Sequence, residues 1–112
     1  DEATVTGETR VSELKDGLIS TYNIDPTALF GEAYRPEDLL GGNASVNARI
    51  TTEILLGKNG AHRKVVLLNA GLAIVAGGKA DTIARGIEVA ADCIDSGAAA
   101  KKLQQLIEMS NS

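Results

Sequence analysis

Residues 9–24 read Thr9-Arg10-Val11-Ser12-Glu13-Leu14-Lys15-Asp16-Gly17-Leu18-Ile19-Ser20-Thr21-Tyr22-Asn23-Ile24. Asp16-Gly17 sits between two runs that are rich in β-branched residues. It is a strong short-range hairpin signal, because a two-residue turn needs positive φ and glycine supplies it without strain. The spacing predicts a β-hairpin over 9–24, with Val5-Thr6-Gly7 leading into it as part of a β-rich first quarter. Val11 and Leu14 break strict alternation, which leaves room for a bulge in the register. Asp25-Pro26 ends the second strand.

Outward from the hairpin, residues 25–42 read as irregular, anchored by Phe30, Leu39 and Leu40 and broken at Gly41-Gly42. Pro36-Glu37-Asp38 suits the first turn of a short helix, with proline and acids at its positive end. From Asn43 to about residue 109 the period becomes helical. Val46, Ile50 and Ile54 recur at four-residue steps, Asn43 or Ser45 can cap the start, and Gly57 stands where a C-terminal glycine belongs. A second helix over about Arg63 to Val75 is apolar nearly all round, which marks it as central to the core. The β-branched run from Lys64 to Leu68 makes a parallel strand the competing reading, and the length of the segment favours the helix. Gly77-Gly78 stops it. Asp81 is expected to cap a third helix that carries Ile83, Ile87, Ala90 and Ile94 on one stripe, and a last helix turns Leu103, Leu106 and Ile107 inward. The order is a hairpin followed by about four helices, with no βαβ alternation. So small a strand pair needs a partner surface, and the segment reads as the close of a larger sheet domain.

Composition narrows the function. The chain has 112 residues, 44% apolar and only 3% aromatic, so any core is built from Leu, Ile, Val and Ala. A net charge of −4 with no basic run argues against nucleic acid, whose phosphates are gripped by clustered Lys and Arg. The longest apolar stretch, Val65 to Ala76, is interrupted by Asn69 and is shorter than the roughly 20 residues a membrane helix needs. Cys93 is the single cysteine, which rules out an internal disulfide and fits a reducing, cytoplasmic setting. The chain begins at Asp1 rather than Met, and something upstream is expected to have been removed.

Several segments together resemble anthranilate phosphoribosyltransferases, in the C-terminal part of their α/β domain. They are the opening Asp1-Glu2, Thr9-Arg10-Val11 with the Glu13-Leu14-Lys15-Asp16-Gly17 turn, and Leu40-Gly41-Gly42-Asn43-Ala44 followed by Asn47-Ala48. Val65-Val66-Leu67-Leu68-Asn69-Ala70, Gly78-Lys79-Ala80-Asp81 and Ala91-Asp92-Cys93-Ile94-Asp95-Ser96-Gly97-Ala98 complete the set. Each string alone is weak; in family order across the whole chain they are specific. The resemblance implies an α/β catalytic domain of the nucleoside phosphorylase/phosphoribosyltransferase type. It implies a magnesium-assisted reaction in which the anthranilate amine displaces pyrophosphate from phosphoribosyl pyrophosphate, in tryptophan biosynthesis. The family's diphosphate loop, its anthranilate contacts and the N-terminal helices through which it forms homodimers have no counterpart here, so this chain alone is expected to be inactive.

Asp1 and Glu2 match the acidic pair that in the family helps hold magnesium, and adjacent carboxylates suit a hard cation that prefers oxygen. Read without the resemblance, a terminal Asp-Glu is a solvated pair. Lys58, His62, Arg63 and Lys64 form the one basic cluster, at a helix start where an anion is imaginable, and a solvated connector is the plainer reading. His62 has no partner for a zinc site or a triad. Cys93 reads as a small core residue. Asn69, within the buried helix, is expected to bond the backbone of a neighbouring element, because a buried amide is costly unless its hydrogen bonds are met. Neither glycine pair has the spacing of a phosphate loop. No catalytic base and no substrate-binding residue is assigned. Two other readings share the architecture: a non-catalytic binding relative of the family, and a pyrimidine nucleoside phosphorylase-like enzyme.

Overall fold

In the computed structural model, which describes all of Asp1–Ser112, the hairpin forms as its turn chemistry dictates. Strand β1 (Thr9–Lys15) pairs antiparallel with β2 (Leu18–Ile24), from Thr9 opposite Ile24 to Lys15 opposite Leu18. Asp16 and Gly17 both take positive φ, 52° and 76°, as the tight turn matching strand twist requires. The register is continuous, without a bulge. The imperfect alternation is resolved another way: Val11 packs on the core while Leu14 faces solvent, 71% exposed. Val5 lies outside any strand, yet it is completely buried.

The segment from 25 to 42 has more order than expected. Asp25 accepts a hydrogen bond from Thr27 N at 2.9 Å and caps a one-turn helix, α1 (Pro26–Phe30), which Gly31 ends at φ 82°. A 3₁₀ turn follows over Pro36–Leu39, closed by Arg35 N donating to Asp38 at 2.9 Å. Phe30 and Leu39 pack against the core as anchors. Leu40 does not; it is exposed.

Four helices complete the chain: α2 (Ala44–Leu55), α3 (Ala61–Ala76), α4 (Ile83–Asp95) and α5 (Ala98–Ser110). Asn43 caps α2 by accepting from Val46 N at 2.9 Å, and Gly57 follows its end at φ 93°. The cap of α4 is Thr82 rather than Asp81: Arg85 N donates to the Thr82 hydroxyl at 3.1 Å. The run Lys64 to Leu68 is helical, so the strand alternative falls away.

Helix α3 divides the core and also joins its halves. Leu68 is fully buried against Ala3, Val5 and Ile24, and the neighbouring Leu67 packs with Ala90 and Ile94 of α4. Adjacent residues on a helix point about 100° apart, so a helix apolar nearly all round can serve two clusters. The α3–α4 crossing is closest at two glycines. A Cβ on Gly86 would lie 2.5 Å from the Gly71 carbonyl oxygen, and one on Gly71 would lie 2.9 Å from Ile87 N. An ion pair braces the same two helices: Arg63, its side chain only 11% exposed, donates through Nη1 and Nη2 to the two oxygens of Asp95, at 2.9 Å each.

Helix α5 departs from expectation. Of the three residues expected inward, Leu103 is half-buried, while Leu106 is 62% and Ile107 46% exposed, and the helix has no fully buried residue. It leaves an open apolar groove against α2, lined by Leu55, Leu103, Leu106 and Met109. Cys93 is also exposed, on the outer side of α4, and is not a core residue.

Two outcomes are expected on unfolding in urea. Gly86→Ala places a methyl group against immovable backbone, so overpacking of about 1–3 kcal/mol outweighs the roughly 1 kcal/mol that alanine gains in helix propensity. Gly7→Ala, with nothing within 4 Å of the new Cβ, stays within about 0.5 kcal/mol of the unmodified chain. A double-mutant cycle of Arg63→Met with Asp95→Asn is expected to return a coupling of about 1 kcal/mol, the upper end for a partly exposed pair because both hydrogen bonds are aligned. A coupling indistinguishable from zero would show that the brace contributes nothing.

Candidate functional site

The acidic pair directly precedes Ala3, a member of the core cluster around Leu68. Asp1 and Glu2 are exposed, and neither enters an ion pair with a cation of the chain. The next residue is held firmly. Ala3 N donates to Asn69 Oδ1 at 2.9 Å, and Asn69 Nδ2 donates to Ala3 O at 2.9 Å. The second hydrogen of Nδ2 goes to Val65 O, one helical turn back, at 3.0 Å. Both donor hydrogens and the acceptor oxygen of the carboxamide are therefore engaged, which is what a polar group inside an apolar helix requires. Asn69 has the structural role expected of it.

The chain beyond Ala3 is stitched residue by residue. Thr4 N donates to the Thr9 hydroxyl at 3.1 Å, Tyr34 N donates to Val5 O at 2.9 Å, and Thr6 N donates to the Thr4 hydroxyl at 3.1 Å. Ala3 and Val5 turn into the core. The two carboxylates thus precede an irregular but fully anchored strand of chain. Asp1 and Glu2 offer oxygen donors only, the right kind for Mg²⁺, which is usually bound by one or two carboxylates with substrate phosphates and waters supplying the rest. No group of three or more His, Cys, Asp or Glu side chains gathers anywhere in the chain. The pair fits one side of such a site.

Gly41-Gly42 repeats the clamp in miniature. Gly42 N donates to Asn47 Oδ1 at 2.8 Å, and Asn47 Nδ2 donates to Gly42 O at 3.0 Å. A Cβ on Gly41 would lie 2.6 Å from Asn47 Oδ1, so glycine is what lets the asparagine approach. The pair is more than a break in the chain, and the signal that could have revealed this is the asparagine five residues after Gly42.

The basic cluster is occupied internally. Lys58 Nζ donates to Glu53 at 2.9 Å, and that hydrogen bond is the main reason the Glu53 carboxyl is held below its usual range. Arg63 is committed to Asp95, Lys64 Nζ lies 5.5 Å from the Phe30 ring centroid, and His62 Nε2 is 3.2 Å from the Leu40 carbonyl it faces. Each cation has a partner in the fold. These contacts are what a connector between α2 and α3 requires.

The glycosyl transferase family, a/b domain, matches residues 1–100. An anthranilate phosphoribosyltransferase of Desulfosudis oleivorans is 51% identical over 100% of this chain and 33% of its own. One from Alkaliphilus metalliredigens is 48% identical over 98% of this chain and 32% of its own. The crystal structure of anthranilate phosphoribosyltransferase from Thermus thermophilus superposes with a TM-score of 0.83 at 28% identity, over 96% of this chain and 32% of that one. The chain spans about a third of the length of the curated relatives it matches. Its hairpin and helices are part of an α/β glycosyltransferase-type domain, and the chain belongs to the glycosyl transferase family, a/b domain.

Proposed function

We propose that this chain is the closing part of the α/β domain of an anthranilate phosphoribosyltransferase, and that within the complete enzyme Asp1 and Glu2 hold a magnesium ion beside the diphosphate of phosphoribosyl pyrophosphate. The observation that carries the reading is the unbroken likeness, at 51% identity from one end of the chain to the other, to a protein of that activity. The exposed, unpaired acids at the head of an anchored segment support it.

The division of labour follows from what the chain contains. As the bond from the ribose C1 to diphosphate breaks, positive character grows on C1 and negative charge on the leaving group. Magnesium bound there supplies neutralisation of that leaving charge. The chain's own share is to present carboxylate oxygens next to Ala3, whose backbone is held on α3, where they can face the charge that develops. Proton removal from the acceptor amine is assigned to no side chain of this chain. Anthranilate and phosphoribosyl pyrophosphate are the proposed substrates, and the cytoplasm is the proposed setting.

In the complete enzyme, Asp1→Ala and Glu2→Ala are each expected to raise the magnesium concentration needed for half-maximal rate by about 10-fold or more, as loss of a ligand should. Identical magnesium titrations for both variants and the unmodified enzyme would remove the assignment. The 112-residue chain alone is expected to form no phosphoribosyl product from the two substrates, and any product from the purified chain would overturn the reading.

A further inference from the structure

We propose that Asn69 is a positioning residue for the acidic pair: by holding both peptide groups that flank the Ala3 α-carbon, its carboxamide sets the direction in which Asp1 and Glu2 leave the core, and hence their affinity for a divalent cation. This rests on the assignment of Asp1 and Glu2 as the cation's ligands.

A polar side chain at position 69 carries a cost. It lies in a helix that is apolar nearly all round, where leucine, of similar size, would pack without needing partners. An asparagine there must bring a compensating benefit. Two of its three hydrogen bonds go to a residue 66 positions away in sequence, and both go to the same residue, Ala3. A single bond to one peptide group leaves the chain free to swing about it. A donor and an acceptor on either side of one α-carbon fix its orientation. The bond to Val65 O holds the carboxamide itself at the required angle.

Nothing else upstream of Ala3 holds the acids. Residues 1–4 belong to no helix or strand, and Glu2 Cα is ~3.8 Å from Ala3 Cα across one trans peptide. The threonine bonds anchor only the downstream side. Side chains that orient metal ligands without touching the metal typically change its affinity by about 10–100-fold when removed.

The test uses the complete transferase with two readouts. Asn69→Leu keeps the volume and deletes the hydrogen bonds. It is expected to raise the Mg²⁺ concentration for half-maximal rate about 10-fold, with kcat at saturating Mg²⁺ retained. A purely structural role would lower kcat or stability and leave the magnesium midpoint in place. The second readout is independent of turnover: added Mn²⁺ is expected to broaden the amide resonances of Ala3 and Thr4 and the side-chain amide of Asn69 selectively, and Asn69→Leu should disperse the effect at Ala3. If Asp1→Ala moves the magnesium midpoint and Asn69→Leu does not, the positioning role is wrong and the ligand assignment stands. If neither moves it, and Mn²⁺ leaves the three resonances sharp, the ligand assignment fails and takes the positioning role with it. Should Asn69→Leu fail to fold, sharp resonances under Mn²⁺ in the unmodified enzyme overturn the proposal without it.

Discussion

The structure depends on a polar pin set into an apolar wall. Asn69 projects from α3 beside Leu68, and its bonds to Ala3 bring the first residues of the chain onto the same surface that receives Val5 and Ile24. The two kinds of contact divide the task. Burial of Ala3 and Val5 sets the register, because a slip of one residue would turn Thr4 toward the core in place of Val5. The carboxamide pairs with the N–H and the C=O of one residue at once, and so fixes where the backbone lies on α3 and in which direction it runs.

The other half of the core works by the opposite device, the removal of side chains. Gly71 and Gly86 let the backbones of α3 and α4 approach until a methyl group would not fit. That closeness brings Leu67 onto Ala90 and Ile94, and it places Arg63 within reach of both oxygens of Asp95. The Asn47 clamp on Gly42 combines the two devices, a carboxamide approaching backbone that has no Cβ in its way. Across the chain, contacts to peptide groups and contacts made possible by glycine locate the elements that carry the exposed acids.

Much of this was legible beforehand, for identifiable reasons. The hairpin could be read to its terminal residues because Asp16-Gly17 imposes a backbone conformation that few dipeptides tolerate. The start of α2 and the ends of α2 and α3 could be read from Asn43, Gly57 and Gly77. The misreadings share one cause: periodicity shows which residues of an element lie on one side, and does not show whether anything covers that side. Leu14, Leu40 and the Leu106 face of α5 read as inward because they are apolar, yet Leu14 and Leu40 stay exposed and α2 covers the Leu106 face only in part. Cys93 lies one position from the buried Ile94 and on the other side of the stripe. The bulge was inferred from a lapse in alternation that solvent exposure of Leu14 explains. Asp81 and Thr82 are both good caps, and only the geometry of the first turn separates them. For Asp1 and Glu2, no pattern distinguishes two adjacent acids from any solvated pair. The resemblance alone singles them out, and the bond that anchors the adjacent Ala3 comes from a residue 66 places on, beyond the reach of any local rule.

Asn69 and Asn47 grip peptide units, and a peptide unit is the same whatever side chain it bears. Asn69 therefore holds the backbone at Ala3, while the buried side chains of Ala3 and Val5 decide which residues turn inward. Asp1 and Glu2 are exposed and take no part in these bonds, so a substitution at either leaves the anchoring beneath it intact.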